Sequence, residues 1–595
     1  MLIGNEVYIL GKIEITKDFI INGMKTKIIS GAVHYFRIVP EYWRDTLEDL
    51  KDMGCNTVET YIPWNVHEPN ECEFCFDGIN DFECFIKLAG EIGLYVIVRP
   101  SPYICAEWEF GGLPGWLLKK QNMRFRSNDE LFVSLVDRYY SVILPKIASL
   151  QITNGGPIIL TQLENEYGSY SDDKEYLSSL YSMFKKYGID IPIFTSDGTW
   201  NEALEAGSLL NSGVFPTGNF GSNPIENMKV LKDFMKRNNI TAPLMCMEFW
   251  DGWFNRWGEQ IIRRDPKEFA ESAKEMMELG SINFYMFHGG TNFGFMNGCS
   301  ARENKDLPQI TSYDYDAILT EWGAKTEKYH LLREAITGKK DRLPDRRETC
   351  SYASAKRNRS VGLFETLDKI SNFYHSKWPK TMEELDNYYG YIIYKSSFRG
   401  TNSKQKLRVV EASDRIKIFL NKTEISTQYQ DDNGKEVLMD IEPNTKNDLS
   451  ILVENLGRVN YGAKLQSPSQ SKGIRNGVIL DIHFHSEWDH YCINFDKINE
   501  VDFSKGYKNG PGFHEYVFDI TESINDTFID CSRFGKGVLF VNGHNCGRFW
   551  NIGPLLSLYV PAPLLKKGKN KIIIFETEGI FIDELKFMNK PKYKD

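Results

Sequence analysis

Long apolar runs are absent from this sequence of 595 residues. No stretch approaches the roughly 20 consecutive apolar residues that a membrane-spanning helix needs, so no membrane span is predicted. The N-terminus also lacks a basic segment followed by an apolar run and a small-residue cleavage site, which is the pattern of a secretion signal. We therefore expect a cytoplasmic protein, and we leave non-classical display at the cell surface open.

Basic residues are too few for a nucleic-acid-binding surface. Lys and Arg total 71 against 81 Asp and Glu, which gives a net charge of −10. Because phosphate binding needs a basic face, nucleic acid is not an expected partner. Aromatic residues are plentiful, with 12 Trp, 30 Tyr and 37 Phe. Their flat faces stack on sugars, although most of them must belong to the core.

Cysteine occurs without a disulfide framework. The 11 cysteines are an odd number without regular spacing, which predicts reduced thiols. Cys72 and Cys75 form a single C-x2-C pair, and a plain loop is favoured over a zinc site there. The proline two residues after His67 prevents the helical turn of a zinc-protease motif. No metal site is expected, and three histidines are predicted to orient a polar network near strand ends: His34, His67 and His288.

Strands and helices alternate through the first 338 residues. After a short β-rich lead-in over residues 1–26, eight apolar strands are each followed by a helical or loop segment, and Gly54 and Gly93 end two of the helices. This alternation predicts a (β/α)8 barrel over residues 1–338. The predicted strands are 27–36, 55–63, 94–99, 157–163, 191–196, 208–214, 242–248 and 282–287.

The pattern changes after residue 338. Residues 339–384 begin charged and without periodicity, which predicts a linker that wraps the barrel. Short alternating strands separated by Gly, Asn and Asp then predict two β-sandwich domains, at 385–495 and 496–595. The predicted fold class is therefore α/β plus all-β. A homodimer is left open, since aromatic-rich β-domains often bury surface between subunits.

Carboxylates follow two of the predicted barrel strands. The fourth strand runs into Glu164, Asn165 and Glu166, and the seventh ends at Glu248. Barrel enzymes place their chemistry at the C-terminal ends of the strands. Hydrolysis of a glycosidic bond with retention needs two carboxyl groups about 5 to 5.5 Å apart, one acid and one nucleophile. Glu164 and Glu166 point the same way on an extended strand, so spacing does not choose between them, whereas Asn165 is placed to bind a sugar hydroxyl.

Seven segments of the sequence resemble glycoside hydrolase family 35 β-galactosidases, most closely bacterial β-1,3-galactosidase-like members, and the resemblance covers nearly the whole chain. These segments are long and specific. They are HYFRIVPEYW (34–43), VETYIPWNVHEP (58–69), RPSPYICAEWEFGGLPGWL (99–117), QLENEYGSY (162–170), MEFWDGWFNRWG (247–258), FYMFHGGTNFGF (284–295) and TSYDYDA (311–317).

The resemblance implies roles for individual residues. It places the acid/base on Glu166 and the nucleophile on Glu248, and it implies no metal and no cofactor. Glu107 becomes the candidate to accept a hydrogen bond near the axial 4-hydroxyl that distinguishes galactose from glucose. The residues that hold terminal galactose fall on Tyr61, Ala106, Glu107, Asn165, Tyr285 and Tyr315.

Aromatic residues outside this set are candidates for the sugar beyond the cleaved bond. Trp250, Trp253 and Trp257 follow the nucleophile closely, and stacking on that sugar competes with core packing as their role. Segment 457–462 resembles a family segment whose aromatic residue, here Tyr461, reaches the barrel mouth, although a simple β-turn is the alternative. Segment 536–554 resembles the galactose-binding-like jelly-roll domain of the family, in which Trp550 is expected to be core.

The physical roles set requirements on the two carboxyl groups. Glu248 must be ionised to attack, and the phenol of Tyr285 or Tyr315 is the expected hydrogen-bond donor. Glu166 must be protonated first and then act as base, and a pKa raised by the neighbouring Glu248 carboxylate suits that change of role.

The sequence therefore predicts a retaining exo-β-galactosidase that removes terminal galactose from oligosaccharides or glycan ends, with β-1,3 linkages favoured. Two alternatives stay open. One is an exo-glycosidase of another sugar on a related barrel, such as a β-glucosidase or an exo-glucosaminidase. The other is a non-catalytic carbohydrate-binding protein in which the barrel is inert.

Overall fold

A closed barrel of eight parallel strands forms the first half of the chain in the computed structural model, which describes residues 11–303 and 305–594. A three-stranded antiparallel sheet precedes it, formed by β1 (Ile13–Ile15), β2 (Phe19–Ile21) and β3 (Met24–Thr26). This sheet agrees with the β lead-in predicted for residues 1–26, of which residues 1–10 lie outside the described residues. The predicted barrel is confirmed.

The barrel strands follow one another around the ring in chain order. The seventh strand pairs with the sixth, and the eighth strand pairs with the first, which closes the barrel. They are β4 (Ile29–Val33), β5 (Thr57–Tyr61), β6 (Tyr95–Arg99), β7 (Ile158–Gln162), β8 (Ile193–Gly198), β9 (Phe215–Asn219), β10 (Met245–Trp250) and β11 (Ser281–His288). Most of their residues are buried, because helices cover the outside and side chains fill the inside.

The α-helices begin and end where local chemistry dictates. Asp129 accepts hydrogen bonds from the amides of Leu131 and Phe132 and so caps the longest helix of the barrel. Gly54 and Gly93 end two helices in the left-handed conformation, as the sequence predicts. The α-helices are α1 (Trp43–Met53), α2 (Trp64–His67), α3 (Phe82–Ile92), α4 (Glu130–Ser149), α5 (Lys174–Lys186), α6 (Asn201–Gly207), α7 (Pro224–Arg237), α8 (Pro266–Leu279), α9 (Glu327–Thr337) and α10 (Leu363–Ile370).

The sixth barrel strand lies later in the chain than predicted. The prediction of a strand at 208–214 is wrong, because that segment is a loop and β9 spans Phe215–Asn219. Proline and glycine inside β9 conceal it, since both disfavour strands. Gly218 is needed there, because a Cβ atom at this position would lie 2.5 Å from the Thr199 methyl group.

Two pairs of β-sheets form the second half of the chain. The first pair contains the six-stranded sheet β15-β24-β16-β21-β18-β19 and the four-stranded sheet β20-β17-β22-β23. Its strands are β15 (Ser371–Ser376), β16 (Tyr391–Arg399), β17 (Lys404–Ser413), β18 (Arg415–Leu420), β19 (Thr423–Tyr429), β20 (Val437–Asp440), β21 (Lys446–Glu454), β22 (Gly473–Leu480), β23 (His483–Phe484) and β24 (Trp488–Ile493).

The second pair contains the six-stranded sheet β28-β27-β30-β25-β14-β31 and the three-stranded sheet β29-β26-β32. Its strands are β14 (Ala355–Gly362), β25 (Gly512–Ile520), β26 (Thr527–Asp530), β27 (Lys536–Val541), β28 (His544–Trp550), β29 (Ser557–Val560), β30 (Gly568–Glu576), β31 (Glu584–Leu585) and β32 (Phe587–Met588). The hairpin β12 (Cys299–Ala301) and β13 (Asp306–Pro308) extends from the barrel.

The predicted linker over 339–384 is wrong from residue 355 onward. β14 pairs with β25 and β31 in the last sheet, and β15 pairs with β24. Exposed polar side chains on β14 hide its strand character in the sequence. Residues 339–354 have no regular structure and lie against α1, where Arg346 forms ion pairs with Glu48, Asp49 and Asp52. In the part of the chain that the structure describes, no helix has both the length and the apolar character for crossing a bilayer.

Candidate active site

One cavity of about 410 Å³ lies at the C-terminal end of the barrel strands, where barrel enzymes hold their reactive groups. Eleven of the site residues predicted from the sequence line it, and Trp257 does not. The eleven are Tyr61, Ala106, Glu107, Asn165, Glu166, Glu248, Trp250, Trp253, Tyr285, Tyr315 and Tyr461. A wider cleft of about 1090 Å³ lies at the opposite end of the barrel, beside the lead-in sheet, and contains none of them.

Hydrogen-bond donors surround the Glu248 carboxylate. Its Oε1 accepts from Arg99 Nη2 at 2.6 Å and from the Tyr61 hydroxyl at 2.9 Å, and its Oε2 accepts from Trp250 Nε1 at 3.1 Å. A guanidinium and two neutral donors favour the ionised carboxylate. Because Glu248 lies on β10 with an exposed fraction of only 7%, these contacts act in a medium that screens charge poorly.

The predicted phenol donor to Glu248 is wrong. Among the described residues neither Tyr285 nor Tyr315 makes this hydrogen bond, and the Tyr285 hydroxyl lies instead 3.3 Å from the Tyr313 hydroxyl. The donors to Glu248 Oε1 come from Tyr61 at the end of β5 and Arg99 at the end of β6, whose side chains point into the barrel.

Arg99 also fixes the position of Asn165. The Arg99 guanidinium donates from Nη2 to Asn165 Oδ1 at 2.7 Å and from Nε to Gln162 Oε1 at 2.7 Å, while its carbon lies 4.0 Å from the centre of the Tyr61 ring. The Tyr61 hydroxyl oxygen also lies 3.0 Å from Asn165 Oδ1, so its one hydrogen is shared between this oxygen and Glu248 Oε1. With its oxygen occupied, Asn165 presents its NH2 group, which donates to the Ile104 carbonyl at 3.3 Å and retains one further hydrogen.

Glu166 has surroundings that favour the protonated form. Its Oε1 accepts from Asn219 Nδ2 at 3.0 Å, and it forms no ion pair within the described residues. Burial, together with the negative charge of Glu248, raises the pKa of Glu166 to about 8. The two carboxyl groups of the cavity therefore have different partners, since Glu248 faces a guanidinium and Glu166 faces an amide.

Glu164 does not belong to the cavity, and the structure thereby distinguishes it from Glu166. Arg126 binds its two oxygens at 3.0 and 2.8 Å, and the Tyr176 hydroxyl donates to it at 3.0 Å. The expectation that Glu164 and Glu166 point the same way is wrong, because β7 ends at Gln162 and both glutamates adopt a left-handed backbone with φ of 56° and 45°. The extended geometry on which that expectation depends is absent at these two residues.

Glu107 lies on another wall of the cavity. Its Oε2 accepts from the Tyr313 hydroxyl at 2.5 Å. Burial raises the pKa of Glu107 to about 7, while the Tyr313 hydrogen bond and the charge of Arg37 act in the opposite direction. Arg37 also donates to the Ala106 carbonyl at 2.6 Å. Three consecutive left-handed residues, Cys105, Ala106 and Glu107, cost roughly 1–3 kcal/mol each, a strain of the kind that functional sites retain.

A segment of the first β-domain completes the cavity. Asn460 Nδ2 lies 3.5 Å from Glu107 Oε1, and Tyr461 lines the opening with an exposed fraction of 41%. Arg458, fully buried, holds this segment through ion pairs with Glu109 of the barrel and Glu383 of the β-domain. Because a buried charge that loses its partner costs about 3–5 kcal/mol, these pairs fix the segment against the barrel.

Comparison with known proteins agrees with this geometry. The family model described as glycosyl hydrolases family 35 matches residues 18–338, which contain the whole barrel and both carboxyl groups. The chain belongs to this family. Models described as the first all-beta domain and the galactose-binding domain of beta-galactosidase match residues 379–494 and 511–570. The resemblance to family 35 that the sequence motifs indicate is confirmed.

Curated relatives of this family 35 glycoside hydrolase match almost end to end. Beta-galactosidase 17 of Arabidopsis thaliana is 36% identical, over 94% of this chain and 86% of its own length. Beta-galactosidase 1 of Dictyostelium discoideum is 37% identical, over 95% and 91%. A beta-galactosidase of Xanthomonas manihotis is 36% identical, over 91% and 90%.

Aromatic side chains form the outer wall of the family 35 cavity. Trp250 and Trp253 pack edge to face at 5.6 Å, and Phe254 stacks on Trp253 at 5.0 Å. Trp257, the third tryptophan after Glu248, instead packs against Trp550 at 6.4 Å in the core of the last domain. The expectation that Trp550 is core is therefore confirmed, and Trp257 joins it there.

Several residues that line the cavity, or that bind the side chains lining it, have no role in the sequence prediction. Trp200 lines the opening with an exposed fraction of 50%, and its ring lies directly on Gly198, where an added Cβ would be 1.9 Å away. Trp200 follows the fifth predicted strand, so extending the strand-end rule to that strand would have found it. Asn219 was missed because the sixth strand was misplaced. Arg99, Tyr313 and Asn460 were in or beside the quoted motifs without an assigned role.

The three histidines predicted to orient a polar network are buried, and His34 packs against the cavity residues Tyr61 and Tyr285. His34 contacts Arg37, His67 contacts the Tyr35 hydroxyl, and His288 contacts Thr46. Burial lowers the pKa of each histidine. Within residues 11–303 and 305–594, no group of three or more His, Cys, Asp or Glu side chains is arranged to hold a metal ion.

Proposed function

We propose that this chain is a retaining exo-β-galactosidase that releases terminal non-reducing β-D-galactose from oligosaccharides or glycan ends. Family membership and three relatives named beta-galactosidase support the activity. The observation that carries the mechanism is the contrast inside one cavity between Glu248, which forms an ion pair with Arg99 at 2.6 Å, and Glu166, which has no cationic partner among the described residues and whose pKa is raised to about 8.

In the first step of the proposed mechanism, Glu248 Oε attacks the anomeric carbon of galactose. The bond from that carbon to the leaving oxygen breaks, and the proton of Glu166 passes to this oxygen, so that the aglycone leaves as a neutral alcohol. The product is a covalent galactosyl ester on Glu248. Burial and the charge of Glu248 both raise the pKa of Glu166. Since the ester is neutral, the second cause disappears, so the pKa of Glu166 falls and the group stays ionised after it has given up its proton.

In the second step, Glu166 acts as the base. A water molecule loses a proton to Glu166 and attacks the anomeric carbon from the face that the aglycone left. The bond to Glu248 breaks, which returns that residue to the carboxylate and releases galactose with the configuration of the substrate. Two inversions at one carbon give net retention.

Galactose recognition is proposed for the polar residues around the two carboxyl groups. Asn165 presents an NH2 hydrogen beside Glu248, where it suits a hydroxyl neighbouring the reacting carbon. Glu107 is held by Tyr313 on the opposite wall and suits the axial 4-hydroxyl. Tyr285 and Tyr315 pack edge to face at 5.5 Å between these groups. A cavity of about 410 Å³, closed by segment 457–462, accommodates a chain end better than a chain interior, which supports exo action.

We propose that the chain favours β-1,3-linked galactose and that contacts to the sugar beyond the cleaved bond set this preference. Trp250, Trp253 and Tyr461 surround the side of the cavity that the leaving sugar would occupy. We propose that they stack on this sugar and that the β-1,3 linkage orients its face toward them.

Substrate tests separate this proposal from its alternatives. Hydrolysis of nitrophenyl β-galactoside should exceed that of the glucoside by a large margin, and a preference for the glucoside would reject the sugar assignment. A panel of β-1,3, β-1,4 and β-1,6 galactosyl disaccharides, with the product followed by NMR, tests linkage and stereochemistry together. Release of α-galactose as the first product would reject retention.

The rate should fall at alkaline pH because Glu166 must carry a proton. With its pKa near 8, the protonated fraction drops about tenfold per pH unit above that value, so kcat/KM for a disaccharide should fall in parallel. The dinitrophenyl galactoside supplies the control, since its leaving group needs no proton and its kcat/KM should stay level through the same range. Identical alkaline limbs for the two substrates would contradict the assignment of the acid.

Trp200 should contribute to binding of the leaving sugar. The Trp200→Ala substitution removes one stacking face, worth about 0.5–1.5 kcal/mol, so kcat/KM for a galactosyl disaccharide should fall about two- to tenfold. Galactosyl fluoride, which has no leaving sugar, should be hydrolysed at the original rate. Trp378→Ala is a matched control, because Trp378 is also half exposed, at 49%, and does not line the cavity. Equal losses on both substrates would show that Trp200 only supports the fold.

A further inference from the structure

A second carboxylate shares Arg99 with Glu248. Glu59 lies on β5 two residues before Tyr61, so both side chains point into the barrel and Glu59 lies one layer deeper. Its Oε1 is 3.6 Å from Arg99 Nη1, while Arg99 Nη2 binds Glu248. Glu59 and Arg99 are both fully buried, so one guanidinium serves two carboxylates in the interior of the barrel.

Glu59 has few other partners. Its Oε2 accepts only a long hydrogen bond, 3.4 Å, from Asn283 Nδ2, and in the described part of the chain neither Glu59 Oε1 nor Arg99 Nη1 hydrogen-bonds to another protein group. Burial, opposed by the charge of Arg99, raises the pKa of Glu59 to about 7. A carboxylate that is this deeply buried and this poorly bonded is unfavourable for stability alone, which points to a role in the reaction.

The proposed reaction changes the charge on only one of the two carboxylates. When Glu248 becomes a galactosyl ester it loses its negative charge, and Arg99 would remain a buried cation beside a neutral group. A buried cation without an anion is strongly unfavourable. Glu59 is the remaining carboxylate in ion-pair contact with Arg99 among the described residues.

We infer that Glu59 is a positioning residue that acts through Arg99 and supplies its counter-charge while Glu248 is esterified. In the free enzyme Glu59 competes for Arg99 and so leaves Glu248 a better nucleophile. In the covalent intermediate Glu59 stabilises Arg99 and so slows the return of charge to Glu248. This inference rests on the proposed function, because it requires the covalent intermediate.

The two half-reactions should therefore respond in opposite directions to Glu59→Gln. Arg99 would bind the Glu248 carboxylate alone, so formation of the galactosyl-enzyme should slow by about tenfold, whereas its breakdown should accelerate by about threefold or more. A merely structural role would displace Glu248 and slow both half-reactions. The sign of the second change is thus the decisive result.

A slow substrate isolates each half-reaction. A 2-deoxy-2-fluorogalactosyl fluoride forms the covalent enzyme, and the rate of inactivation reports its formation. After excess reagent is removed, the return of activity reports its breakdown. Both rates are measured at pH 7.5, above the pKa of about 7 of Glu59.

Controls keep the outcome interpretable. Glu59→Asp preserves the charge and should keep both rates near the original values, and it also serves if Glu59→Gln does not fold. Glu454→Gln removes a buried carboxylate that pairs with Lys536 and does not line the cavity, and it should leave both rates unchanged. If mass spectrometry finds no galactosyl-enzyme in the unmodified protein, the proposed function fails. If the intermediate forms but Glu59→Gln recovers no faster, only the inference about Glu59 is overturned.

Discussion

Replacement of Glu248 by alanine should reduce hydrolysis of every galactoside by about 10⁴-fold or more, because Glu248 is the proposed nucleophile and alanine cannot form the covalent intermediate. Arg99, Tyr61 and Trp250 donate hydrogen bonds to the Glu248 carboxylate, and the substitution leaves these three residues unchanged. The measurement is kcat/KM for nitrophenyl β-galactoside, with the thermal midpoint determined in parallel to show that the protein is folded.

Azide provides the sharper test of the nucleophile. In Glu248→Ala, an azide ion fits the space left by the carboxylate and attacks an activated galactoside from the same face. The product should be α-galactosyl azide, and the rate should rise with azide concentration. Hydrolysis that persists at above about 1% of the original rate, or an azide product of β configuration, would place the nucleophile elsewhere.

Glu166→Ala should produce a loss that depends on the leaving group. General acid catalysis contributes about 10²–10⁴-fold, so kcat/KM for a galactosyl disaccharide should fall by that factor. For dinitrophenyl galactoside, whose leaving group needs no proton, kcat/KM should change by less than about tenfold. Because the second step then lacks its base, azide should replace water on the intact galactosyl-enzyme and give β-galactosyl azide, the opposite configuration to that expected for Glu248→Ala.

Glu164 offers a matched control for this second prediction. It lies two residues away in the same segment, but Arg126 and Tyr176 bind its carboxylate outside the cavity. Glu164→Gln should lower the thermal midpoint, because Arg126 loses a buried partner, while the ratio of rates on the disaccharide and the dinitrophenyl galactoside stays as in the unmodified protein. If Glu164→Gln, and not Glu166→Ala, made the rate sensitive to the leaving group, the two roles would have to be exchanged.

The barrel could be predicted because its signal is local. Apolar runs such as 157–163 and glycines such as Gly54 report strand and helix ends from a few neighbouring residues. The same local rules misplace the sixth strand, since β9 contains Pro216 and Gly218, which both disfavour strands, and only the close approach of Thr199 explains the glycine. They also missed β14, whose polar side chains face solvent while its backbone completes a sheet with β25.

The sequence predicts which residues line the candidate site better than it predicts the hydrogen bonds between them. Strand ends and family motifs led to the residues that line the cavity, but not to their hydrogen bonds. The choice of Tyr61 and Arg99 as donors to Glu248 depends on how neighbouring strands align around the barrel, which periodicity does not reveal. The separation of Glu164 from Glu166 likewise depends on two left-handed backbone angles. A cytoplasmic location and a homodimer stay predictions.

Segment 457–462 belongs to a different domain from Glu166 and Glu248, yet it lines the same cavity. Arg458 anchors this segment at its base, whereas Tyr461 near its tip is 41% exposed at the cavity opening. If Tyr461 contacts the leaving sugar as proposed, the choice of leaving group is set partly by a loop of a β-domain and is separable from the two carboxyl groups of the barrel.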